Sequence, residues 1–264
     1  MKKFKTAIIG AGAMGGAVAR GLVQAGFDAS DITVANPSDG KLAPLRDLGI
    51  KTTADNRAAV RNADLLVIAV KPWVLPAVAA EIAGVIDFAK TQVAVIVAGI
   101  SGKDIAGMFG IGEISAAQER GALSIVMPNT AMSIRKSMTF IVDVCGKTPL
   151  AEEAFSCLGR VMVIEERLLP AATALASCGI AYAMRYVRAA VEGGVELGFR
   201  ASDAQDIVVA TLEGAAGLLA VPGAHAESEI DKVTTPGGLT IRGLNAMEAA
   251  GFTPAVIAGL KAGR

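Results

Sequence analysis

Residues 8–22 read IIGAGAMGGAVARGL, and the reading of this stretch decides the fold. Gly10, Gly12 and Gly15 form G-x-G-x-x-G directly after a short apolar run and at the opening of a helical pattern. Each glycine answers a steric need. The first makes a tight strand-to-helix turn, the second lets a pyrophosphate approach the backbone, and the third lets the helix pack closely on the strand. The pattern alone is common, and a plain glycine-rich turn is the bland alternative. Its place between strand and helix makes a dinucleotide loop the expected reading.

Working outward, KTAIIG, ITVAN, DLLVIAV, QVAVIVAG and ALSIVM are short β-branched runs separated by helical patterns. That rhythm predicts a parallel sheet with helices on both faces, a Rossmann-type doubly wound α/β domain over residues 1–165. From Glu166 onward no strand pattern is expected. Ala/Gly/Leu-rich helical stretches follow instead, broken near LGFRASD and VPGAH, so residues 166–264 are expected to form a second, all-helical domain. No Gly/Ser linker separates the two, which predicts direct packing. Within the second part, LLPAATALASCGIAYAM at 168–184 is uncharged but short of the roughly 20 apolar residues a bilayer requires. It contains Pro170 and Gly179 and runs into Arg185 and Arg188, which predicts a buried helix and no membrane partner.

Composition narrows the function classes. A chain of 264 residues, 53% apolar, is long enough for about two domains with sizeable cores. Lys+Arg 25 balance Asp+Glu 25, and no basic block interleaved with aromatics is present, which argues against a nucleic-acid partner. The apolar run of MKKFKTAIIGAGAMGG is interrupted by glycines after a few residues, so it reads as a strand and not as a signal peptide, and a cytoplasmic location is expected. Cys145, Cys157 and Cys178 are odd in number, widely spaced and without a CxxC pair. They predict buried thiols, not a disulfide framework or a metal site.

The second strand ends in ITVANPSDGK at 32–41, where an enzyme using NAD carries an acid for the ribose 2′-hydroxyl. Asn36 and Ser38 stand there instead. They can hydrogen-bond a 2′-phosphate that an acid would repel, with charge from Lys41 nearby and Asp39 opposing it. The expected cofactor is NADP(H), with NAD(H) as the second choice.

Near the other end, KVTTPGGLTIRGLNAME at 232–248 enters a helix through threonines, a proline and glycines, with no carboxylate before Glu248. Such a start offers N–H groups and hydroxyls with no negative charge to meet them, so an external anion is expected. The alternative is an ordinary helix start, Thr235 as N-cap with Pro236 at the first helical position.

With the glycine loop, AVKP at 69–72, VAGIS at 97–101, MPNT at 127–130 and VTTPGGLTIRGL at 233–244 in this order, the chain resembles pyrroline-5-carboxylate reductase over nearly its whole length. The resemblance implies NADPH-dependent reduction of the cyclic imine 1-pyrroline-5-carboxylate to L-proline, the last step of proline biosynthesis. It implies that Gly10, Gly12, Asn36, Ser38, Asn56, Ala69, Lys71 and Gly99, with their neighbours Ala11, Ala13, Met14, Val70 and Ala98, line the cofactor cleft. It places Glu166, Thr235, Leu239 and Thr240 against the substrate. It also implies that the C-terminal helices form a dimerisation domain, and that the homodimers gather into a decamer.

The residues suit imine chemistry. A carbonyl needs a positioned acid for the nascent alkoxide, whereas an imine nitrogen is protonated before hydride arrives, so hydrogen-bonding groups suffice. The single histidine, His225, sits in the loop PGAHAES and reads as a surface residue, and residues 168–199 contain no lysine to serve a carbonyl. The anion at 232–248 then becomes the substrate carboxylate, held by Thr235 and the N–H groups of Gly237 and Gly238, with Thr240 as the catalytic residue bonded to the ring nitrogen. Lys71 reads either as a cofactor ligand or as a solvated turn lysine, and Trp73 as a packing residue.

Three departures from the family pattern remain. Ile125 replaces an arginine, Ala131 a proline, and Ser177-Cys178-Gly179-Ile180-Ala181-Tyr182 a Gly-Ser-Gly-Pro-Ala-Tyr segment. They keep open a same-fold reductase of another cyclic imine or ketone. A non-catalytic NADP-binding regulator is the alternative from another class.

Overall fold

The computed structural model describes residues 4–111 and 122–263, so Met1–Lys3 of the opening segment lie outside it. By its internal contacts the chain divides into two compact units, Met1–Ser177 and Cys178–Arg264.

The first unit is built on an eight-stranded sheet. Its strands are β1 (Thr6–Ile9), β2 (Ile32–Ala35), β3 (Lys51–Thr53), β4 (Leu65–Ile68), β5 (Gln92–Val95), β6 (Ala122–Met127), β7 (Ser137–Cys145) and β8 (Gly159–Val163). They lie side by side in the order β3-β2-β1-β4-β5-β6-β7-β8. The chain order reverses at β1, where Ile9 stands opposite both Ala35 of β2 and Ile68 of β4 in parallel register. A crevice opens beyond the carboxyl ends of the strands at such a point, which is where open α/β sheets bind ligands.

Helices α1 (Ala13–Gln24), α2 (Asp39–Arg46), α3 (Asn56–Val60), α4 (Leu75–Ile82), α5 (Gly102–Met108), α6 (Pro149–Ser156) and α7 (Leu169–Ala172) cover the sheet. Successive strand residues feed opposite faces, as the period of two requires. On one face Ile9, Leu66, Ile68 and Val95 pack with Leu75, Val78 and Ile82 of α4 and Ile105 of α5. On the other, Ile8, Val34, Leu65 and Val67 pack with Val18 and Leu22 of α1 and Phe155 of α6. Each fully buried Leu or Ile contributes about 1.5–3 kcal/mol, so the two faces together hold the site's scaffold rigid.

The five expected strands are all present, but the sheet is not wholly parallel. β7 runs antiparallel to β6, with Met127 opposite Phe140. Only residues 128–136 join them, too few for the helical crossover that a parallel neighbour needs. Three strands escaped the sequence reading. β3 is the polar tripeptide KTT, β8 is an edge strand with exposed Met162 and Val163, and no α-helix separates β7 from β6.

The expected boundary at 165/166 also differs from the division of the contacts. Leu169 and Ala172 are buried in the core of the first unit, so the helical run starts as part of the sheet domain. That run continues from Glu166 to Glu196 and contains a π-helical stretch, Thr173–Cys178. It is long and apolar enough, by length and composition alone, to cross a membrane. The expectation of a buried helix at 168–184 is corrected here. Within the single chain Leu169, Ala172 and Ala174 are buried, whereas Leu175, Tyr182 and Met184 are exposed.

The second unit contains α8 (Gly179–Glu196), α9 (Ala201–Leu219), α10 (Ala226–Lys232), α11 (Leu239–Ala249) and α12 (Phe252–Ala262). α8 and α9 approach closely where a Cβ on Gly194 would lie 2.9 Å from that of Ala204. The Tyr182 hydroxyl donates to the Gly259 carbonyl at 3.2 Å, joining α8 to α12. Ala204 is the one buried apolar residue among those described in this unit, and Leu197, Phe199, Leu218, Val221 and Val256 are exposed. A helix that is apolar on such a scale needs another surface to cover it.

Candidate active site

In the first unit the glycine loop is shaped by close contacts. Gly10 has φ +99°, and a Cβ there would lie 2.5 Å from the Ala69 carbonyl oxygen. A Cβ on Gly15 would run into the Gly10 carbonyl and press on Ala69. Around Gly12, by contrast, nothing stands within 4 Å of an added Cβ. The space that admits a ligand is therefore over Gly12, at the N-terminus of α1. That terminus has Gly12 as N-cap without a side-chain cap, and its first turn, Ala13 and Met14 included, carries no acid. Uncapped N–H groups and the helix dipole suit a pyrophosphate.

Asn36 sits behind this loop, only 8% exposed. Its Oδ1 accepts the Ala11 N–H at 3.1 Å, and its Nδ2 donates to the Ser38 carbonyl at 3.1 Å. The side chain thus braces the glycine loop against the turn after β2, and the amide's second N–H is the donor it would offer a 2′-phosphate. Ser38 is the exposed N-cap residue of α2, with Lys41 exposed in its first turn. Asp39, which opposed an anion in the sequence reading, is paired with Arg46 at 2.7 Å.

The remaining cofactor-side residues follow other strand ends. Asn56 opens α3 and donates to Glu81 of α4 at 2.8 Å. Ala69, Val70 and Lys71 follow β4, and Lys71 precedes a one-turn 3-10 helix, Pro72–Val74. Ala98 and Gly99 follow β5 and are exposed, Gly99 with φ +76°. These loops share one edge of the sheet, so the residues fit a dinucleotide laid across β1. The expectation that Trp73 packs is overturned, since it is 76% exposed.

Glu166 belongs to the first unit and has a structural partner there. Its Oε1 accepts the Gly102 N–H at 2.7 Å, at the start of α5. A carboxylate there satisfies an orphan donor and meets the positive end of the dipole. The MPNT asparagine, Asn129, also has defined partners. It accepts the Ala131 N–H and donates to the Ala176 carbonyl, at 3.1 Å each. The second bond satisfies a carbonyl within the π-helical stretch. Ile125, one of the departures, is fully buried in the core, where it fills space between strand and helices.

In the second unit the TTPGG segment forms a turn, not a cap. The Gly238 N–H donates to the Thr235 carbonyl at 2.9 Å, and Gly237 has φ +67°. A positive φ at the third position of a four-residue turn is what glycine supplies there. α11 begins only at Leu239 with Gly238 as N-cap, so the alternative of Thr235 as N-cap and Pro236 at the first helical position fails. A Cβ on Gly238 would collide with the Thr235 hydroxyl. The first turn of α11 holds no acid and no side-chain cap, and Leu239 and Thr240 are exposed in it.

Arg242 was missed by sequence reasoning. Its guanidinium folds back to donate to the Gly237 and Gly238 carbonyls, at 3.3 Å each. It fixes the turn and adds a positive charge at a helix N-terminus. The signal was its place four residues after Gly238, one helical turn on. His225 is exposed and precedes α10, as a surface residue would.

Residues 166–264 match the family model described as pyrroline-5-carboxylate reductase dimerisation, and residues 5–97 that of NADP oxidoreductase coenzyme F420-dependent. The chain is 36% identical to pyrroline-5-carboxylate reductase 1 of Dictyostelium discoideum, with 96% of this chain and 47% of that protein covered, so it spans about half the length of that relative. It is 34% identical to pyrroline-5-carboxylate reductase 2 of the same organism, with 96% of this chain and 89% of that protein covered. Among solved structures, a pyrroline-5-carboxylate reductase from Coxiella burnetii superposes with a TM-score of 0.90 at 27% identity, covering 99% of this chain and 96% of that one. The chain belongs to the pyrroline-5-carboxylate reductase family.

Proposed function

We propose that this chain catalyses the NADPH-dependent reduction of 1-pyrroline-5-carboxylate to L-proline, the last step of proline biosynthesis. The observation that carries the reading is the start of α11. A glycine turn fixed by Thr235, a helix N-terminus without acid or side-chain cap, and the Arg242 cation stand together there, beside an exposed threonine. That set suits a small carboxylate with a hydrogen-bonding group next to it.

The roles follow. The Gly238 N–H is closed on the Thr235 carbonyl and is not available as expected, so the N–H groups of Gly237 and Leu239 and the Thr235 hydroxyl hold the substrate carboxylate, and Leu239 offers apolar cover to the ring. The Thr240 hydroxyl hydrogen-bonds the ring nitrogen, which carries the proton of the iminium and keeps it in the amine product. The reduced nicotinamide, when bound at the glycine loop, supplies the hydride that the C=N carbon accepts. Gly102, held by Glu166, keeps the loop after β5 in place beside it.

The phosphate-bearing cofactor is favoured by Ser38, Lys41 and the absence of an acid at position 36. We place the enzyme in the cytoplasm as a homodimer that assembles further to a decamer, with no nucleic-acid or membrane partner.

The test is one assay with 1-pyrroline-5-carboxylate and each reduced nicotinamide, run beside six-membered imines and 2-ketoacids. Substrate-dependent loss of NADPH absorbance, best with the five-membered imine, is expected, with a higher kcat/KM for NADPH than for NADH. NADPH binding without turnover of any of these substrates would refute the reading as an enzyme.

A further inference from the structure

We propose that Trp73 is the stacking platform for the adenine ring of the cofactor, an inference that rests on the proposed NADP(H) site. Trp73 is the one tryptophan of the chain and is 76% exposed, on the turn that leaves the carboxyl end of β4. A lone exposed aromatic carries no meaning by itself. The place and stiffness of this one do.

The place is set by the glycine loop. Ala69 lies against both Gly10 and Gly15, so the chain that runs on through Val70, Lys71 and Pro72 to Trp73 starts in contact with the pyrophosphate loop. The side of the crevice is set by α4, which Trp73's turn opens. α4 is tied to α3 by the 2.8 Å bond between Asn56 and Glu81. α3 is the helix that follows β3, so the turn is linked to the β1–β3 half of the sheet. In sheets of this order that half takes the adenosine, while the strands beyond β4 take the nicotinamide.

The stiffness comes from the turn itself. Pro72 fixes its own φ, the Val74 N–H closes the turn on the Lys71 carbonyl at 2.9 Å, and Leu75 is buried in the core immediately afterwards. The indole is thus held out by a rigid turn, not carried on a mobile loop tip, and little ordering remains to oppose binding. Lys71 completes the chemistry. Its Nζ lies 5.9 Å from the indole centroid, so a cation and a π-face stand together. Phosphate and purine are the two groups such a pair recognises at once. The Lys41 charge and the Ser38 hydroxyl after β2 fall on the same adenosine side.

The test uses the whole protein and the fact that all of its tryptophan emission comes from position 73. Adenosine 2′,5′-bisphosphate and nicotinamide mononucleotide are titrated separately while indole fluorescence is followed, and NADP+ binding is measured by calorimetry. Saturable quenching by the bisphosphate and none by the mononucleotide is expected. Trp73→Ala should weaken NADP+ and the bisphosphate about tenfold, and Trp73→Phe by no more than about threefold, since a ring is kept. Quenching by the mononucleotide alone, or a Trp73→Ala protein that binds NADP+ within twofold of the original, would overturn the inference. If the unaltered protein gives no heat with NADP+, the proposed function fails and this inference with it. Binding of NADP+ with an unperturbed indole sinks this inference alone.

Discussion

Asn36 holds Ala11: the side-chain oxygen after β2 accepts the loop N–H at 3.1 Å, while the same amide donates to the Ser38 carbonyl. One buried side chain therefore links the pyrophosphate loop to the turn that selects the ribose substituent. Because Ala11 N–H is engaged, the donors left for the pyrophosphate are those at the α1 N-terminus.

This link separates two substitutions. Asn36→Ala removes both bonds and leaves a buried donor unmet, at about 1–3 kcal/mol of stability, with NADPH affinity falling about tenfold. Asn36→Asp keeps the acceptor for Ala11 but sets a negative charge against the Ser38 carbonyl and any 2′-phosphate. It should weaken NADPH about tenfold while leaving NADH within about threefold. Calorimetry with both cofactors decides, and an Ala variant that binds NADPH as well as the original would refute the brace.

Thr240 is exposed in the first turn of α11, and its assigned hydrogen bond is used at the reacting nitrogen. Thr240→Val keeps the shape and deletes the hydroxyl. Turnover should fall by about one to three decades with NADPH affinity nearly unchanged. A change in kcat under twofold would remove Thr240 from the chemistry.

Arg242 offers a test of the carboxylate site separate from the chemistry. Arg242→Ala loses the two bonds to Gly237 and Gly238 and the charge beside the α11 N-terminus. KM for the imino acid should rise about fivefold or more while NADPH affinity stays within twofold. Arg242→Lys keeps the charge without the fork and should fall between. A rise in NADPH Kd with KM unmoved would place Arg242 elsewhere in function.

Much of this was legible in the sequence because local chemistry was enough to show it. The glycine loop had one workable geometry, and the five core strands were apolar runs that burial on both faces demands. β7, antiparallel and joined to β6 without a helix, fell outside the rhythm that marked the others, and KTT of β3 carries no apolar signal at all. The roles of Asn36 and Arg242 were hidden for a different reason. Their partners are backbone groups brought together by turns, and a sequence shows the residue types without showing which donors are already engaged.

Glu166 gives a further separation of roles. Its carboxylate caps α5 through Gly102, and a Cβ on Gly102 would lie 2.9 Å from Glu166 Oε2 and 2.8 Å from Val144 Cγ2. Glu166→Gln retains an acceptor and should keep most of the stability, whereas Glu166→Ala should lose about 1–2 kcal/mol. Chemical denaturation of the two variants measures this. Equal stability for both would show that the bond to Gly102 contributes nothing.

The helical unit makes the strongest demand on assembly. Leu197, Phe199, Leu218, Val221 and Val256 are all exposed in the single chain, and Tyr182, Tyr186, Met247 and Phe252 line an apolar groove between α8, α11 and α12. Ala204 alone, among the described residues of the unit, is a buried apolar side chain, so these helices have no adequate core of their own. Stable folding of the unit requires that a second copy supply the missing cover, over an area of the size obligate dimers bury, about 2,000 Å² or more. Dissociation should then unfold the helical unit instead of releasing a folded monomer, and its start of α11 would be lost with it. Light scattering coupled to size exclusion, with activity measured alongside at micromolar and low nanomolar protein, tests this. A dimer or larger assembly is expected wherever activity is present, and a substitution such as Tyr186→Asp in the groove should abolish both together. A fully active monomer of 26.8 kDa at both concentrations would show that the exposed faces need no partner.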